Sequence, residues 1–125
     1  MSGLTSMRAP IYLAQPYTHY VRGHVGAYLD ACRLSAQLHR RYKTVIFSPI
    51  AHFHGMTTHG DLPTANAKFW RKFNLPFIET CGGCVVAKFE GWQESDGVCG
   101  EIADFKAQKK MVVLCDPVTL ELESA

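Results

Sequence analysis

Four short apolar runs, separated by segments with helical periodicity, most constrain how this chain can fold. The runs are Ile11–Ala14, Thr44–Phe47, Cys84–Phe89 and Met111–Cys115. Strands of a parallel sheet are buried on both faces and are therefore apolar along their whole length. Their alternation with helices predicts an α/β fold, a Rossmann-like or flavodoxin-like parallel sheet with helices on both faces.

Helical spacing of apolar residues fills the segments between these strands. The predicted helices are Val25–His39, a segment that begins near Pro63, and Asp96–Gln108. Pro76 is expected to kink the second helix or to restart it, with Asn74 as the new cap. The stretch from Pro49 to Pro63, which is rich in His and Gly, is predicted to be a loop.

Length and composition narrow the class of protein. A chain of 125 residues with 47% apolar content is expected to form a single domain over residues 1–125. A net charge of +2 is too small to indicate nucleic-acid binding, and no apolar run is long enough to cross a membrane. The segment Met1–Arg8 lacks the apolar stretch of a signal peptide, so a cytoplasmic protein with reduced thiols is expected.

The pair Cys81 and Cys84 has the spacing of half a zinc site or of a redox pair. A structural zinc needs a second pair of ligands, and the histidines His52, His54 and His59 are the available candidates. A redox motif usually opens a helix, whereas this pair leads into a strand. Small core cysteines, with no metal bound, are therefore the favoured interpretation.

The most informative segment for function is Gly91–Glu101, which follows the third apolar run. Ser95 is a suitable N-cap, so a helix is predicted to begin there. Glu101 then borders the helix face that packs on the sheet, and Gly97, one turn earlier, leaves room for a ligand. The helix dipole is expected to keep Glu101 ionised and to favour an anionic group near Ser95.

Ligands of parallel sheets bind beyond the carboxyl ends of the strands. Three polar segments follow those ends: Gln15–His19, Ser48–His54 and Gly91–Glu101. The chain has neither a Gly-x-Gly-x-x-Gly motif after its first strand nor a phosphate-cradling Gly-Lys-Thr/Ser, so a dinucleotide dehydrogenase or an ATPase is disfavoured and no cofactor is expected.

Several of these segments resemble a small family within the nucleoside 2-deoxyribosyltransferase superfamily. They are Tyr12–Tyr17, Phe47–His52, Phe69-Trp70, Gly91-Trp92 and Ser95-x-Gly97-Val98-x-x-Glu101. The resemblance implies an α/β protein that works as a homo-oligomer, a dimer or tetramer, on a nucleoside or nucleotide. It also implies that Glu101 is the nucleophile that attacks the anomeric carbon.

The resemblance assigns further residues to the site. Ser95, six positions before Glu101, matches the Ser that holds a 5′-phosphate in relatives acting on monophosphates. Substrate contacts are also expected from Pro16, Tyr17, His52, His54, Trp92 and Gly97. Asn74 stands where the superfamily usually has the Asp that assists protonation of the leaving base, and Asp61, His52, His54 or Asp96 are candidates to replace that acid.

Two alternatives to an enzyme of this kind stay open. Asn74 is also compatible with a non-catalytic module that binds or senses nucleotides, because an amide has no ionisable proton to donate. A less favoured alternative is a metal hydrolase that uses His52 and His54.

Overall fold

The structure is a computed structural model that describes residues 3–125. Met1 and Ser2 lie outside these residues. They begin the segment Met1–Arg8, from which the cytoplasmic localisation was expected. Within the described chain the strands are β1 (Ile11–Ala14), β2 (Ile46–Phe47), β3 (Gly83–Ala87), β4 (Met111–Cys115) and β5 (Leu122–Ser124). The helices are α1 (Gly23–Tyr42), α2 (Pro49–Gly60), α3 (Ala67–Thr80) and α4 (Asp96–Ala107), with a short 3-10 turn at Trp92–Glu94.

The predicted α/β fold is confirmed. The strands of the described residues form one five-stranded sheet in the order β2-β1-β3-β4-β5, with β5 antiparallel to β4 and the other pairs parallel. This is a flavodoxin-like strand order, in which the chain reverses direction across the sheet between β1 and β3. Ligands of such sheets bind at that reversal, beyond the carboxyl ends of the two strands.

Side chains alternate between the two faces of the sheet, as the pleat of a strand requires. On the α1 face, Ile11, Leu13 and Val85 pack with Leu34 and Leu38 of the helix. The opposite face, covered by α3 and α4, is a second buried cluster that contains Tyr12, Cys84, Val86, Ile78, Val98 and Phe105. Both faces are covered, which explains why the strands are apolar throughout.

The predicted loop from Pro49 to Pro63 is wrong, because most of it is helix α2. The Ser48 hydroxyl accepts a hydrogen bond from the Ala51 N–H at 3.1 Å, and Pro49 occupies the first turn, where its fixed φ suits a helix. Ile50 and Phe53 are buried on one side. Capping and burial therefore outweigh the weak helix propensity of the Gly and His residues.

Helix α3 also differs from the prediction. It begins at Ala67 rather than near Pro63, because the Asn66 side chain caps it by accepting from the Phe69 N–H at 3.0 Å. It continues through Pro76, which has no N–H to donate to the carbonyl one turn earlier. Pro76 is exposed, so water can donate to that carbonyl instead. Asn74 is thus a buried residue inside a helix and not a cap.

The remaining differences concern element ends and one strand. Helix α1 extends beyond the predicted Val25–His39 at both ends, the second strand is shorter, and β3 ends two residues earlier. Strand β5 was not predicted, because Leu122–Ser124 is short and lacks an apolar pattern. Within the described residues, no helix combines the length and the apolar character needed to cross a membrane.

Candidate functional site

A cavity of about 790 Å³ lies beyond the carboxyl ends of β1 and β3. We call it the rim cavity. Its walls come from the segment after β1, the start of α2, one side of α3, and the segment that leads into α4. The sequence-predicted residues that line it are Pro16, Tyr17, Asn74, Ser95, Asp96, Gly97 and Glu101. The structure therefore brings together side chains that are up to 85 positions apart, from Pro16 to Glu101.

Glu101 is the chemically most distinctive residue of the rim cavity. It is half-buried on α4, and its Oε2 accepts a hydrogen bond from the hydroxyl of Tyr12 in β1. Tyr12 is fully buried on the sheet face that α4 covers, so its hydroxyl reaches Glu101 from the sheet side of the helix. This contact fixes one carboxyl oxygen, which is how an enzyme holds a reacting group in place.

The expectation that the helix dipole keeps Glu101 ionised is wrong for the ligand-free protein. Burial raises the pKa of Glu101 to about 8, and the nearby Asp104 raises it further, while the hydrogen bond from Tyr12 lowers it only in part. Glu101 lies in the second turn of α4, where the helix dipole has already weakened. A carboxyl with such a pKa in a cavity is a candidate for catalysis.

The N-terminus of α4 forms another wall of the rim cavity. As predicted, Ser95 caps the helix, and its oxygen accepts from the Val98 N–H at 3.2 Å. The Ser95 O–H remains able to donate to a ligand. The N–H groups of Asp96 and Gly97 have no acceptor within the helix, as in any first turn. Gly97 places no side chain between these donors and the cavity.

Two buried amide oxygens of the cavity wall have no hydrogen-bond partner among the described residues. They are Oε1 of Gln15 and Oδ1 of Asn74, whose residues are only 5% and 7% exposed. The Gln15 Nε2 donates to the Ala27 carbonyl at 3.3 Å, which orients the amide. An unpaired buried acceptor costs free energy, but neither oxygen is accessible in the ligand-free protein, so each amide would have to turn towards the cavity to accept from a ligand.

Aromatic rings form the side of the rim cavity between α2 and α3. Phe53 and Trp70 stack with centroids 4.1 Å apart, and Tyr17 meets Phe53 edge-on at 5.2 Å. The Trp70 Nε1–H donates to the Pro63 carbonyl at 2.7 Å, which fixes the indole. Flat rings of this kind suit a planar heterocyclic ligand.

Four other predicted site residues are not among the side chains that line the rim cavity. Asp61 is exposed and ends α2, His52 is exposed against the Phe47 and Phe77 rings, and Trp92 packs beside α4. His54 does not line the cavity but contacts Tyr17, which does: the His54 Nδ1 lies 3.0 Å from the Tyr17 hydroxyl. Burial, and then His24 and His59, lower the pKa of His54, so it is neutral at pH 7.

Neither the histidines nor the cysteines of the described residues form a metal centre. No group of three or more His, Cys, Asp or Glu side chains in residues 3–125 is placed to hold a metal ion. Cys81, Cys84 and Cys115 are buried and unbridged, as the small-core interpretation predicts. Burial raises the pKa of Cys81 to about 11, so the Cys81 thiol is a poor nucleophile.

Sequence reasoning assigned no individual site role to Tyr12, Gln15, Arg71 or Asp104, although it predicted the segment Gln15–His19 at this edge of the sheet. Tyr12 offers a usable signal, since a tyrosine within an otherwise aliphatic buried strand must place its hydroxyl against a partner. The pair of Arg71 on α3 and Asp104 on α4, 2.9 Å apart, joins two helices across the cavity and has no local sequence signal.

The fold and the rim cavity define a flavodoxin-like α/β protein with a cavity at the reversal of strand order, where the Glu101 carboxyl group lines the wall. Over residues 9–116 the chain matches the family described as "Domain of unknown function (DUF1937)", and it belongs to that family. A search of curated proteins found no matching relative.

Proposed function

We propose that this protein cleaves or transfers the N-glycosidic bond of a nucleoside or nucleotide through a glycosyl-enzyme intermediate on Glu101, as the resemblance to nucleoside 2-deoxyribosyltransferases implies. The observation that carries the proposal is the Glu101 carboxyl, half-buried at the cavity wall and held by the Tyr12 hydroxyl. A solvated helix glutamate would have neither a buried partner nor a raised pKa.

The proposed reaction is a double displacement. A Glu101 carboxylate oxygen bonds to the anomeric carbon, while the bond from that carbon to the base nitrogen breaks and its electron pair stays on the base. Water or a second base then attacks the same carbon and releases Glu101 as a carboxylate. Throughout, the Tyr12 hydroxyl donates to Oε2 and so directs the other oxygen towards the sugar.

The raised pKa of Glu101 gives the reaction a pH dependence. With a pKa of about 8, roughly one-tenth of Glu101 is ionised at pH 7 in the absence of ligand. Only the carboxylate is a nucleophile, so kcat/KM rises as the pH increases through about 8.

The aromatic wall of Tyr17, Phe53 and Trp70 would hold the base, and the α4 N-terminus would hold the 5′ end of the sugar. Ser95 offers its hydroxyl proton there, but the exposed carboxylates Glu94 and Asp96 flank it. Like charges repel, so these carboxylates favour an uncharged 5′-hydroxyl over a 5′-phosphate. The expected homo-oligomer and cytoplasmic localisation remain predictions.

One observation favours a second candidate function. Asn74 lies where an acid would assist the leaving base, and an amide cannot donate an ionisable proton. A module that binds a nucleoside without cleaving it would tolerate this residue. The raised pKa of Glu101 favours the enzyme, because a binding module gains nothing from a carboxyl that must be kept buried.

The test is base release from a set of nucleosides and 5′-monophosphates, followed by chromatography, for the wild type and Glu101→Gln. We expect release by the wild type, a glycosyl adduct on Glu101 in mass spectra of acid-quenched protein, and neither with Glu101→Gln. Equal turnover by both proteins would remove Glu101 from the role. Binding without release by the wild type would establish the second candidate.

A further inference from the structure

The charges that line the rim cavity are mostly negative. The negative charges belong to Glu90, Glu94, Asp96 and Asp104, whereas burial raises the pKa of the fifth carboxyl group, Glu101, to about 8 and so leaves it largely uncharged at neutral pH. Among the described residues that line it, the Lys and Arg side chains are Lys68 and Arg71, and Arg71 is already paired with Asp104. The electrostatic potential inside the cavity therefore favours a cation and opposes an anion.

The wall that would face the leaving base carries no free acid. Asn74 is neutral, and its Oδ1 is buried and unpaired. Asp104 is already engaged by Arg71, which donates to its Oδ1, and Glu101 is needed as the nucleophile. A neutral base usually leaves with the help of a proton, and general acid catalysis contributes typically 10²- to 10⁴-fold. The cavity residues of α3 include no carboxylic acid that could supply that proton, and Glu90, Glu94 and Asp96 belong to the segment that leads into α4, which would hold the 5′ end of the sugar.

The aromatic rings beside Asn74 also suit a cation. Faces of Trp, Tyr and Phe attract positive charge through their π electrons, and Trp is the strongest of the three. Trp70 is held in place by its hydrogen bond to the Pro63 carbonyl and by its stacking on Phe53. The accessible parts of these rings would attract a flat cationic ring that lies against the wall.

We infer that the substrate is a nucleoside whose base already carries a positive charge, such as a pyridinium or an N7-alkylated purine nucleoside. The inference rests on the proposed function and names its substrate class. When Glu101 attacks the anomeric carbon, the electron pair of the broken bond neutralises the charge on the ring. The base therefore leaves as a neutral molecule without receiving a proton, and the step balances with Asn74 in place of an acid.

The unpaired oxygens add a requirement for hydrogen-bond donors on the base. Once their amides turn towards the cavity, Oδ1 of Asn74 and Oε1 of Gln15 can accept N–H groups from a carboxamide or an amino substituent. A carboxylate on the base would instead face two acceptors and be repelled. The cavity thus distinguishes a pyridinium carboxamide from the corresponding pyridinium carboxylate.

The positive charge of the substrate also prepares the nucleophile. An opposite charge within a few ångströms favours the ionised form of a carboxyl group and lowers its pKa. Glu101 is largely protonated in the empty cavity at neutral pH. It would lose its proton as the cation binds, so the correct substrate generates the reactive carboxylate.

The substrate class is tested by comparing nicotinamide riboside, a permanent pyridinium cation, with uridine, a neutral nucleoside with a single-ring base. Base release is measured for both nucleosides. The kcat/KM of each is divided by its uncatalysed hydrolysis rate, which corrects for the difference in intrinsic reactivity. We expect this ratio to be roughly 100-fold higher for nicotinamide riboside. Nicotinic acid riboside, which has a carboxylate in place of the carboxamide, should react at least tenfold more slowly than nicotinamide riboside.

Charge variants test the cause of the preference. The double variant Glu94→Gln/Asp96→Asn, at two exposed residues, should reduce the preference for the cation roughly fivefold. Glu121→Gln, at the exposed end of the sheet near β5, is the matched control and should leave the preference unchanged.

The outcomes separate the two proposals. Release from uridine that equals or exceeds release from nicotinamide riboside, with loss of both in Glu101→Gln, would overturn the cationic substrate and leave the proposed function standing. A cation preference that the double variant leaves unaltered would also overturn it, since the cavity charges would then not be its cause. No release from any nucleoside would overturn the proposed function itself.

Discussion

The rim cavity and a second depression at the β5 edge are nearly equal in volume and opposite in chemistry. The second depression, about 750 Å³, is lined by residues such as Arg41, Tyr42, Glu121 and Glu123, and we call it the edge depression. Its polar groups are paired or exposed: Tyr42 donates to the Leu120 carbonyl at 2.6 Å, and Glu123 pairs with Lys88. The wall of the rim cavity instead has a carboxyl group whose pKa burial raises to about 8, and two buried amide oxygens without a partner among the described residues.

The comparison teaches that volume alone does not identify a site. Groups that are already satisfied gain little from a ligand, whereas buried groups without partners gain the hydrogen bonds they lack. The rim cavity keeps its polar groups unsatisfied at a cost in stability, which is the usual sign of a functional region. Predictions at the rim cavity should therefore affect activity, and matched changes at the edge depression should not.

Asn74→Asp should have the largest effect. Its buried position near Glu101 and Asp104 would raise the pKa of a new carboxyl group, so the acid would be protonated at neutral pH and able to donate. Base release from neutral nucleosides such as uridine should increase roughly 100-fold. Asn74→Leu, which fills similar space without a proton, is the control. An equal gain in both variants would mean that the added acid is not responsible.

Tyr12→Phe should reduce kcat roughly tenfold, because the carboxyl group of Glu101 loses the hydrogen bond that orients it. The hydrogen bond from Tyr12 lowers the pKa of Glu101, so its loss should move the midpoint of the pH–rate profile above about 8. The profile of kcat/KM from pH 6 to 10 measures both effects. A lower kcat with an unshifted midpoint would indicate a packing defect. Tyr42→Phe at the edge depression should change neither quantity.

Glu101→Gln should stabilise the fold at high pH. Because the pKa of Glu101 is raised from 4.5 to about 8, its contribution to stability is full below pH 4.5 and is lost as the pH rises through about 8. The variant and the wild type should have similar free energies of unfolding at pH 5. At pH 9 the variant should be more stable by on the order of 2 kcal/mol. Urea titrations measure this difference, and Glu123→Gln should show no such crossover.

Ser95→Ala should have the smallest effect on stability, about 1 kcal/mol, because it removes the cap of α4. Urea denaturation would measure it. If Ser95 also holds the 5′ end of the sugar, KM for nucleosides should rise while the pH–rate midpoint stays in place. A stability loss with unchanged KM would restrict Ser95 to the cap.

Local features of the sequence were sufficient to place Glu101 correctly. The cap at Ser95, the apolar spacing of Val98, Ile102 and Phe105, and the preceding buried strand are all encoded within about 20 residues. Local signals failed for α2, where burial of Ile50 and Phe53 overrides weak propensity. They also failed for the strand β5, whose pairing with β4 depends on the turn at Asp116.

The contacts that define the chemistry of the site were not predictable in the same way. The hydrogen bond from Tyr12 to Glu101 joins residues 89 positions apart, and the pair of Arg71 with Asp104 joins two helices. Such contacts depend on strand order and helix packing. The pKa of Glu101 follows from the same packing, so the sequence predicted where Glu101 lies on its helix but not the direction of its pKa shift.

Helix α2 has a further consequence for how the rim cavity meets its ligand. Had Pro49–Gly60 been a mobile loop, each binding event would have had to order a dozen residues, at a loss of conformational entropy. As a capped helix that packs Phe53 on Trp70, this wall is ordered before a ligand binds. Ligands that fit should therefore bind without a rearrangement of this wall. Ligands that do not fit should bind weakly, because the wall does not adjust its shape to them.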